Sequence, residues 1–260
     1  MKIFYDRSVH ENASYYYDLA KKAREKISGL EKAIEETEKE IKEAGKPVKK
    51  DVKIKRKKEW YEKFHSAFTS GGLLMIGGRS AQQNDQLFAK HMEDEDLFFH
   101  ADIQGGSAVI LKGGLAAGNR EQETGNPELA EAAQFAACHS NAWKNGNASV
   151  DVYCAEKSQV SKHATGGYIP TGAFAITGQR KWFRATQLSL RVGKTEGGTV
   201  AIVPGLSKTH LDDELIIIPS KTGKEKGQLA KSLAKRFSVH PDELLSILPS
   251  GKSKTKEAQS

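Results

Sequence analysis

His100-Ala101-Asp102 places an imidazole and a carboxylate on one face of an expected strand, the alternation that lets two side chains meet one metal ion or one water. With His91, His139 and His163 also present, metal-assisted hydrolysis is the first chemistry to weigh. The pattern is thin, however. H-E-x-x-H does not occur, and neither Cys138 nor Cys154 belongs to a C-x-x-C pair. A His or Asp at a strand end commonly serves local hydrogen bonds, and His139 and Cys138 fall in an alanine-rich helix where a structural role is the simpler one.

Phosphate-cradling loops can be tested directly. No two glycines are separated by a single residue, so G-x-G-x-x-G is absent. Gly193-Lys194-Thr195 has Leu188, and Gly251-Lys252-Ser253 has Ser246, where a Walker loop needs its first glycine. Nucleic-acid chemistry fits the sequence better. Arg79, Gln82, Gln83 and Asn84 surround an expected helix N-terminus, where amide hydrogens and the dipole favour phosphate while guanidinium and planar amides read base edges or ribose. An ordinary capped helix with exposed polar residues gives the same pattern. Gln179-Arg180-Lys181-Trp182-Phe183-Arg184 interleaves cations with aromatics, as needed to hold a backbone and stack an unpaired base. Trp182 or Phe183 in a core, with the cations as a solvated rim, is the competing reading.

The elements that must position these groups follow from capping and periodicity. Ser8 with Glu11 reads as a capping box opening a helix near Val9. Ala23, Ile27, Leu30, Ile34, Thr37 and Ile41 then repeat at the spacing of a coiled-coil seam, until Gly45 and Pro47. Lys46 to Lys58 is a basic linker or electrostatic arm. A hairpin about Thr69-Ser70-Gly71-Gly72 is expected next, then a helix capped by Ser80 and running to His91. Strands are expected at 97–101 and 108–111. Asn126 and Pro127 open a helix through Trp143 that closes near Gly146. Further strands are placed at 150–154, 174–177, 188–192, 199–203 and 215–218, and helices at 229–237 and 241–248. The lysine-rich end from Gly251 has little to bury and reads as disordered.

The expected fold class is therefore α+β, a mainly antiparallel sheet with packed helices preceded by a helical coiled-coil arm. Its expected divisions are an arm over 1–45, a linker over 46–58, an RNA-binding domain over 59–195, a strand-and-helix extension over 196–250 and a basic tail over 251–260. Lys and Arg number 40 against 33 Asp and Glu, and the net charge of +7 favours a polyanionic partner. Two cysteines suit a reducing compartment and exclude a disulfide framework. With no stretch near the roughly 20 apolar residues of a membrane span and no apolar leader, a soluble, unexported protein without a membrane partner is expected.

Three blocks carry a resemblance to a known family. Trp60-Tyr61-Glu62-Lys63-Phe64, Gly77-Gly78-Arg79-Ser80-Ala81-Gln82-Gln83-Asn84 and His100-Ala101-Asp102-Ile103-Gln104-Gly105-Gly106-Ser107 resemble the successive signature blocks of the NFACT-R domain. Tyr168 to Phe174 and Gly178 to Lys181 are similar to its second glycine-rich strand pair. Asp6, Asn12, Tyr16 and Ala33 to Thr37 are similar to the start of the coiled coil that precedes it. Ser80, Gln104 and Gly106 depart from the acidic residue, histidine and alanine common in the family, so no histidine role carries over to position 104.

The resemblance implies an RNA-binding, non-enzymatic component of ribosome-associated quality control, cytoplasmic and ribosome-associated. It would contact tRNA and ribosomal RNA of obstructed large ribosomal subunits without a cofactor or metal. The N-terminal module of complete members is missing from this sequence, and a separate NFACT N-terminal module or a ubiquitin ligase is the implied further partner. The expected RNA-binding set is Arg79, Gln82, Gln83, Asn84, His100, Asp102, Ser107, Lys112, Arg180, Lys181, Trp182 and Arg184. Two alternatives stand beside it, a metal-dependent RNA hydrolase using His100 and Asp102 and a coiled-coil protein-interaction module.

Overall fold

A computed structural model describes residues 3–6, 8–43, 59–118, 126–162 and 169–257. The expected linker over 46–58 lies outside them. So do His163 and Tyr168.

Helix α1 runs from Val9 to Glu43. Its first turn is closed by the expected capping box, in which Glu11 Oε2 accepts from Ser8 N and Ser8 Oγ at 2.8 and 2.7 Å. Asn12 fastens the segment before the helix by exchanging side-chain hydrogen bonds with the backbone of Phe4. The seam residues Ile27, Leu30 and Ile34 are exposed. The helix is as expected, while coiled-coil pairing is not established by one helix.

The rest forms a separate unit of antiparallel sheets and helices, the expected α+β class. Its elements are β1 His65–Phe68, β2 Leu74–Gly77, α2 Ala81–His91, β3 Leu97–Ala101, β4 Val109–Leu111 and α3 Gly114–Gly118. There follow α4 Pro127–Cys138, α5 Asn141–Asn145, β5 Ser149–Glu156, β6 Val160–Ser161, β7 Ala175–Ile176, β8 Lys181–Gln187 and β9 Leu190–Lys194. The chain continues through β10 Val200–Pro204, β11 Asp212–Lys224, α6 Lys226–Phe237, α7 Pro241–Ile247 and β12 Ser253–Glu257. A six-stranded sheet has the order β1-β2-β4-β3-β5-β8, and a four-stranded sheet the order β10-β9-β11-β12.

Period-two alternation divides the six-stranded sheet between two cores. Met75, Phe99, Val109 and Val152 face α4 and the second sheet, where Phe135, Trp143, Leu190, Ile217 and Phe237 complete the larger core. Their neighbours Ile76, Phe98, Ile110 and Tyr153 face the other way, onto Leu87 of α2 and Phe64. Two polar side chains on the apolar α4 tie the layers together. Glu131 accepts from Ser70 N and Oγ at the first hairpin, and Gln134 bonds Gln187 O, Ser189 Oγ and Leu206 N.

Four sequence expectations need correction. The alanine-rich helix is two helices, because Ser140 leaves helical geometry at ψ 171° and its hydroxyl caps Ala142 N. Lys181–Gln187, expected only as a patch, is a strand. Its register shifts beside Ala185, whose φ of 47° is left-handed and whose amide is held by Asp151 Oδ1 at 2.8 Å. The expected disordered tail contains β12, which pairs antiparallel with β11 over Leu215 to Pro219. Ser253 Oγ accepts from the buried indole Nε1 of Trp143 at 3.0 Å, so a basic segment with almost no apolar surface is fixed by backbone pairing and one buried hydrogen bond. Finally, the expected division at residue 195 crosses the second sheet, since β9 pairs with both β10 and β11.

Candidate nucleic-acid interface

A cleft of about 510 Å³ opens where the start of α2, the 103–107 turn, the α4–α5 corner and the 170–174 loop meet. Each wall has a local cause. Ser80 Oγ accepts from Gln83 N, and Gln83 Oε1 accepts from Arg79 N, which sets the first turn of α2. Gly78 is obligatory there, since a Cβ would meet Asn84 Oδ1 at 2.2 Å. The 170–174 loop is drawn onto α2 by Asp85, whose Oδ1 accepts from Lys162 Nζ at 2.6 Å and Gly172 N at 3.0 Å.

Arg79, Asn84, His100 and Ser107 line this cleft, so the structure gathers four of the expected residues from two separate sequence blocks. Only part of that group is free to bind. Asn84 is buried, its amide bridging Gly106 O and Ala108 N, and Ser107 Oγ donates to Gly78 O at 2.7 Å. These two brace the walls. Arg79 donates through Nη2 to the carbonyls of Glu62 and Phe64 at 3.2 and 2.7 Å, and burial pushes its guanidinium down from its ordinary range. His100 is held low by burial, against backbone hydrogen bonds at Ala101 and Gly106 and the charge of Asp102. Asp102 and Gln82 are exposed on the neighbouring surface, and Gln83 is committed to Arg79.

The second patch is divided by its strand. Arg180 lies over the Tyr153 ring at 4.8 Å and Arg184 over the Trp182 ring at 4.0 Å, while Tyr153 and Trp182 meet edge to face at 5.6 Å. This makes a continuous cation–aromatic surface, and Tyr153 also belongs to the cleft. Lys181 and Phe183 alternate to the opposite face, where Lys181 Nζ stands 5.9 Å from the Phe183 ring. Arg184 is further engaged by Asp151 at 2.6 Å, whose carboxyl is held below its usual range by the Ala185 amide and Arg184.

Lys112 stands apart from both surfaces. Its ammonium is taken by Asp96 at 2.6 Å, Glu93 at 2.8 Å and the His91 carbonyl at 3.0 Å. The expectation that it holds RNA competes with this complete set of acceptors.

Two further cleft residues lie outside the expected RNA-binding set. His65 of β1 and His139 at the end of α4 stack with ring centroids 4.0 Å apart. Nδ1 of His65 and both ring nitrogens of His139 are withdrawn from solvent without a hydrogen-bond partner. Burial, with Lys226 and Arg79 nearby, pushes His139 down to about 3; burial, His139, Arg79 and Lys226 push His65 well below its ordinary value. His139 was expected to be structural, and no local pattern marks His65. Among the described residues, no cluster of three metal-ligating side chains occurs.

An α+β domain with a cation–aromatic strand beside a basic cleft presents the surface of a nucleic-acid-binding module. Residues 63–178 match the family described as the NFACT protein RNA binding domain, and the chain carries an NFACT-R domain. It is 36% identical over 206 residues to the archaeal Rqc2 homolog aRqcH of Methanocaldococcus jannaschii, covering 76% of this chain and 30% of that protein. Ribosome quality control complex subunit NEMF of Homo sapiens is 33% identical over 220 residues, or 79% of this chain and 20% of the relative. The Drosophila melanogaster NEMF homolog is 33% identical over 190 residues, or 70% and 18%. The chain thus spans less than a third of the length of these relatives. No described helix is long and apolar enough to cross a membrane.

Proposed function

We propose that this chain is the RNA-binding part of a ribosome-associated quality-control protein, acting in the cytoplasm on obstructed large ribosomal subunits and contacting tRNA and large-subunit ribosomal RNA. The observation that carries this reading is the Arg180–Tyr153–Trp182–Arg184 surface, which continues into the cleft through Tyr153. Stacked aromatics offer faces to unpaired bases, and the guanidinium groups track phosphates. Arg79, Gln82, His100 and Asp102 extend the interface at the cleft, while Asn84, Gln83 and Ser107 hold its shape. Relatives named as ribosome quality control subunits supply the ribosomal setting. A separate NFACT N-terminal module or a ubiquitin ligase is the further partner proposed.

Crosslinking followed by RNA sequencing tests this, with enrichment of tRNA and large-subunit RNA as the expected result. Filter binding at two ionic strengths adds the charge signature, because phosphate contacts release counterions and affinity falls as salt rises. Protein-only crosslinks, or tRNA affinity indifferent to salt, exclude the RNA role. Divalent-metal-dependent cleavage of tRNA that disappears in Asp102→Asn at unchanged binding replaces it with the hydrolase reading.

A further inference from the structure

Arg79 lines the cleft with positive charge that the stacking surface does not use, and Lys226, outside the lining itself, adds to it. Arg79 and Lys226 lie within electrostatic reach of each other and of the stacked His65 and His139 rings. Burial and the charge of Arg79 push the Lys226 ammonium down, and burial does the same to Arg79. Among the described residues, no carboxylate offsets any of these four groups. The unpartnered imidazole nitrogens add a second and independent deficit, since a buried polar group without a partner is rare and costly. The first turn of α2, whose Ser80 and Ala81 line the same cleft, brings amide hydrogens that have no intrahelical acceptor.

We propose that this cleft binds a terminal phosphate monoester, carried by an RNA end or by a free nucleotide. Two cations without carboxylate partners match a dianion better than the single charge of an internal phosphodiester. With Nη2 of Arg79 fixed by the Glu62 and Phe64 carbonyls, the rest of the fork is preorganised for a phosphate oxygen. The anion offsets the repulsion between Arg79 and Lys226, beside the His65 and His139 rings of the lining. A space of about 510 Å³ holds the phosphate together with its nucleoside, beside the Tyr153 and Phe174 rings. The RNA source of the phosphate rests on the function proposed above; the phosphate site itself does not.

The test uses the full chain and one oligoribonucleotide made with a terminal 5′ phosphate, with a 3′ phosphate, or with hydroxyls at both ends, alongside AMP measured calorimetrically. One phosphorylated end is expected to bind about tenfold tighter than the hydroxyl form, the scale of a charge-assisted contact. Lys226→Met is expected to cut that advantage to about threefold or less without lowering the melting temperature, because it removes a charge that burial disfavours. His139→Phe, which keeps a ring in the stack, is a second variant expected to reduce it. Equal affinities for all three ends together with no AMP binding overturn the site, as does an advantage that survives in both variants. AMP binding that is lost in Lys226→Met, with no discrimination among RNA ends, upholds the site and assigns it to the free nucleotide. No binding of the hydroxyl oligonucleotide or of tRNA sinks the RNA reading, and the AMP measurement still decides the cleft.

Discussion

The Lys112 ammonium sits 2.6 Å from a carboxylate oxygen of Asp96, a side chain with only 1% of its surface exposed. Asp96 also accepts from the amides of Glu93 and Gly113, so one buried carboxylate organises the turns on either side of β3 and β4. Burial acts to lower Lys112, and its hydrogen bonds and charge pairing with Asp96 and Glu93 outweigh that and raise it. Lys112→Ala leaves Asp96 buried and short of its cation, and is expected to cost about 1–3 kcal/mol of stability. Thermal denaturation with parallel tRNA binding checks this. Lower stability at unchanged affinity is the expected pair of results; weakened affinity at wild-type stability returns Lys112 to the RNA interface.

Arg184 in β8 and Arg180 just before it both meet the Tyr153–Trp182 aromatic surface but differ in commitment. Arg184 is shared with Asp151, whereas among the described residues the Arg180 guanidinium lies over the Tyr153 ring without a carboxylate partner. Removing Arg180 is therefore expected to weaken single-stranded RNA binding by about 1–2 kcal/mol, and removing Arg184 by less, because its charge is already partly offset. Polarisation titrations of Arg180→Ala and Arg184→Ala at one salt concentration measure the difference. A larger loss for Arg184→Ala contradicts the ranking.

What was legible in the sequence was what is encoded locally. Ser80, Asn126, Pro127 and Gly146 mark helix ends by side-chain capping or backbone conformation within a few residues, and each marks one here. The division into two helices at Ser140 was hidden because alanine-rich sequence continues across it, and the capping serine resembles any helix-surface serine. Strand β8 was read as a patch since cations and aromatics dominate it and its register shifts at Ala185. Arg79 and Asn84 were found from their motif, yet which of them is free and which is a brace depends on Ala108 and Gly106, distant in sequence. The His65–His139 stack joins β1 to the end of α4, and no spacing rule reports a contact made by the folding of a sheet onto a helix.

β12 gives a direct test of the corrected C-terminus. Deleting residues from 251 onward removes the strand that pairs with Leu215 to Pro219 and the hydroxyl that receives the Trp143 indole hydrogen. A buried N–H left without an acceptor costs about 1–3 kcal/mol, and the newly opened edge of β11 adds an aggregation risk. The truncated chain is expected to melt at lower temperature and to show altered Trp143 fluorescence. Ser253→Ala isolates the indole hydrogen bond from the strand, and should reproduce only part of the loss. Full stability in the truncated chain contradicts a structural role for this segment.

The stacked histidines contribute to the acid sensitivity of the fold, beside His100 and His91, which are also held low. In the unfolded chain each imidazole takes a proton near pH 6.5, whereas in the folded protein burial and neighbouring cations hold His139 down to about 3 and His65 well below its ordinary value. The folded-state values are depressed, so the stability associated with these neutral rings is fully present above the unfolded value. It is lost as pH falls below about 6.5, because the unfolded state then binds protons that the folded state refuses. Between pH 7 and 5, above the ordinary carboxylate range, the wild type is expected to lose about 1–2 kcal/mol for each ring. His139→Phe keeps an aromatic ring against Phe135 and His65 while removing one titrating group. Its urea-denaturation free energy should therefore fall less over the same pH interval, whatever its absolute stability at pH 7. An identical pH slope in the two proteins means that His139 does not titrate differently in the folded and unfolded states, and contradicts its burial as a neutral ring.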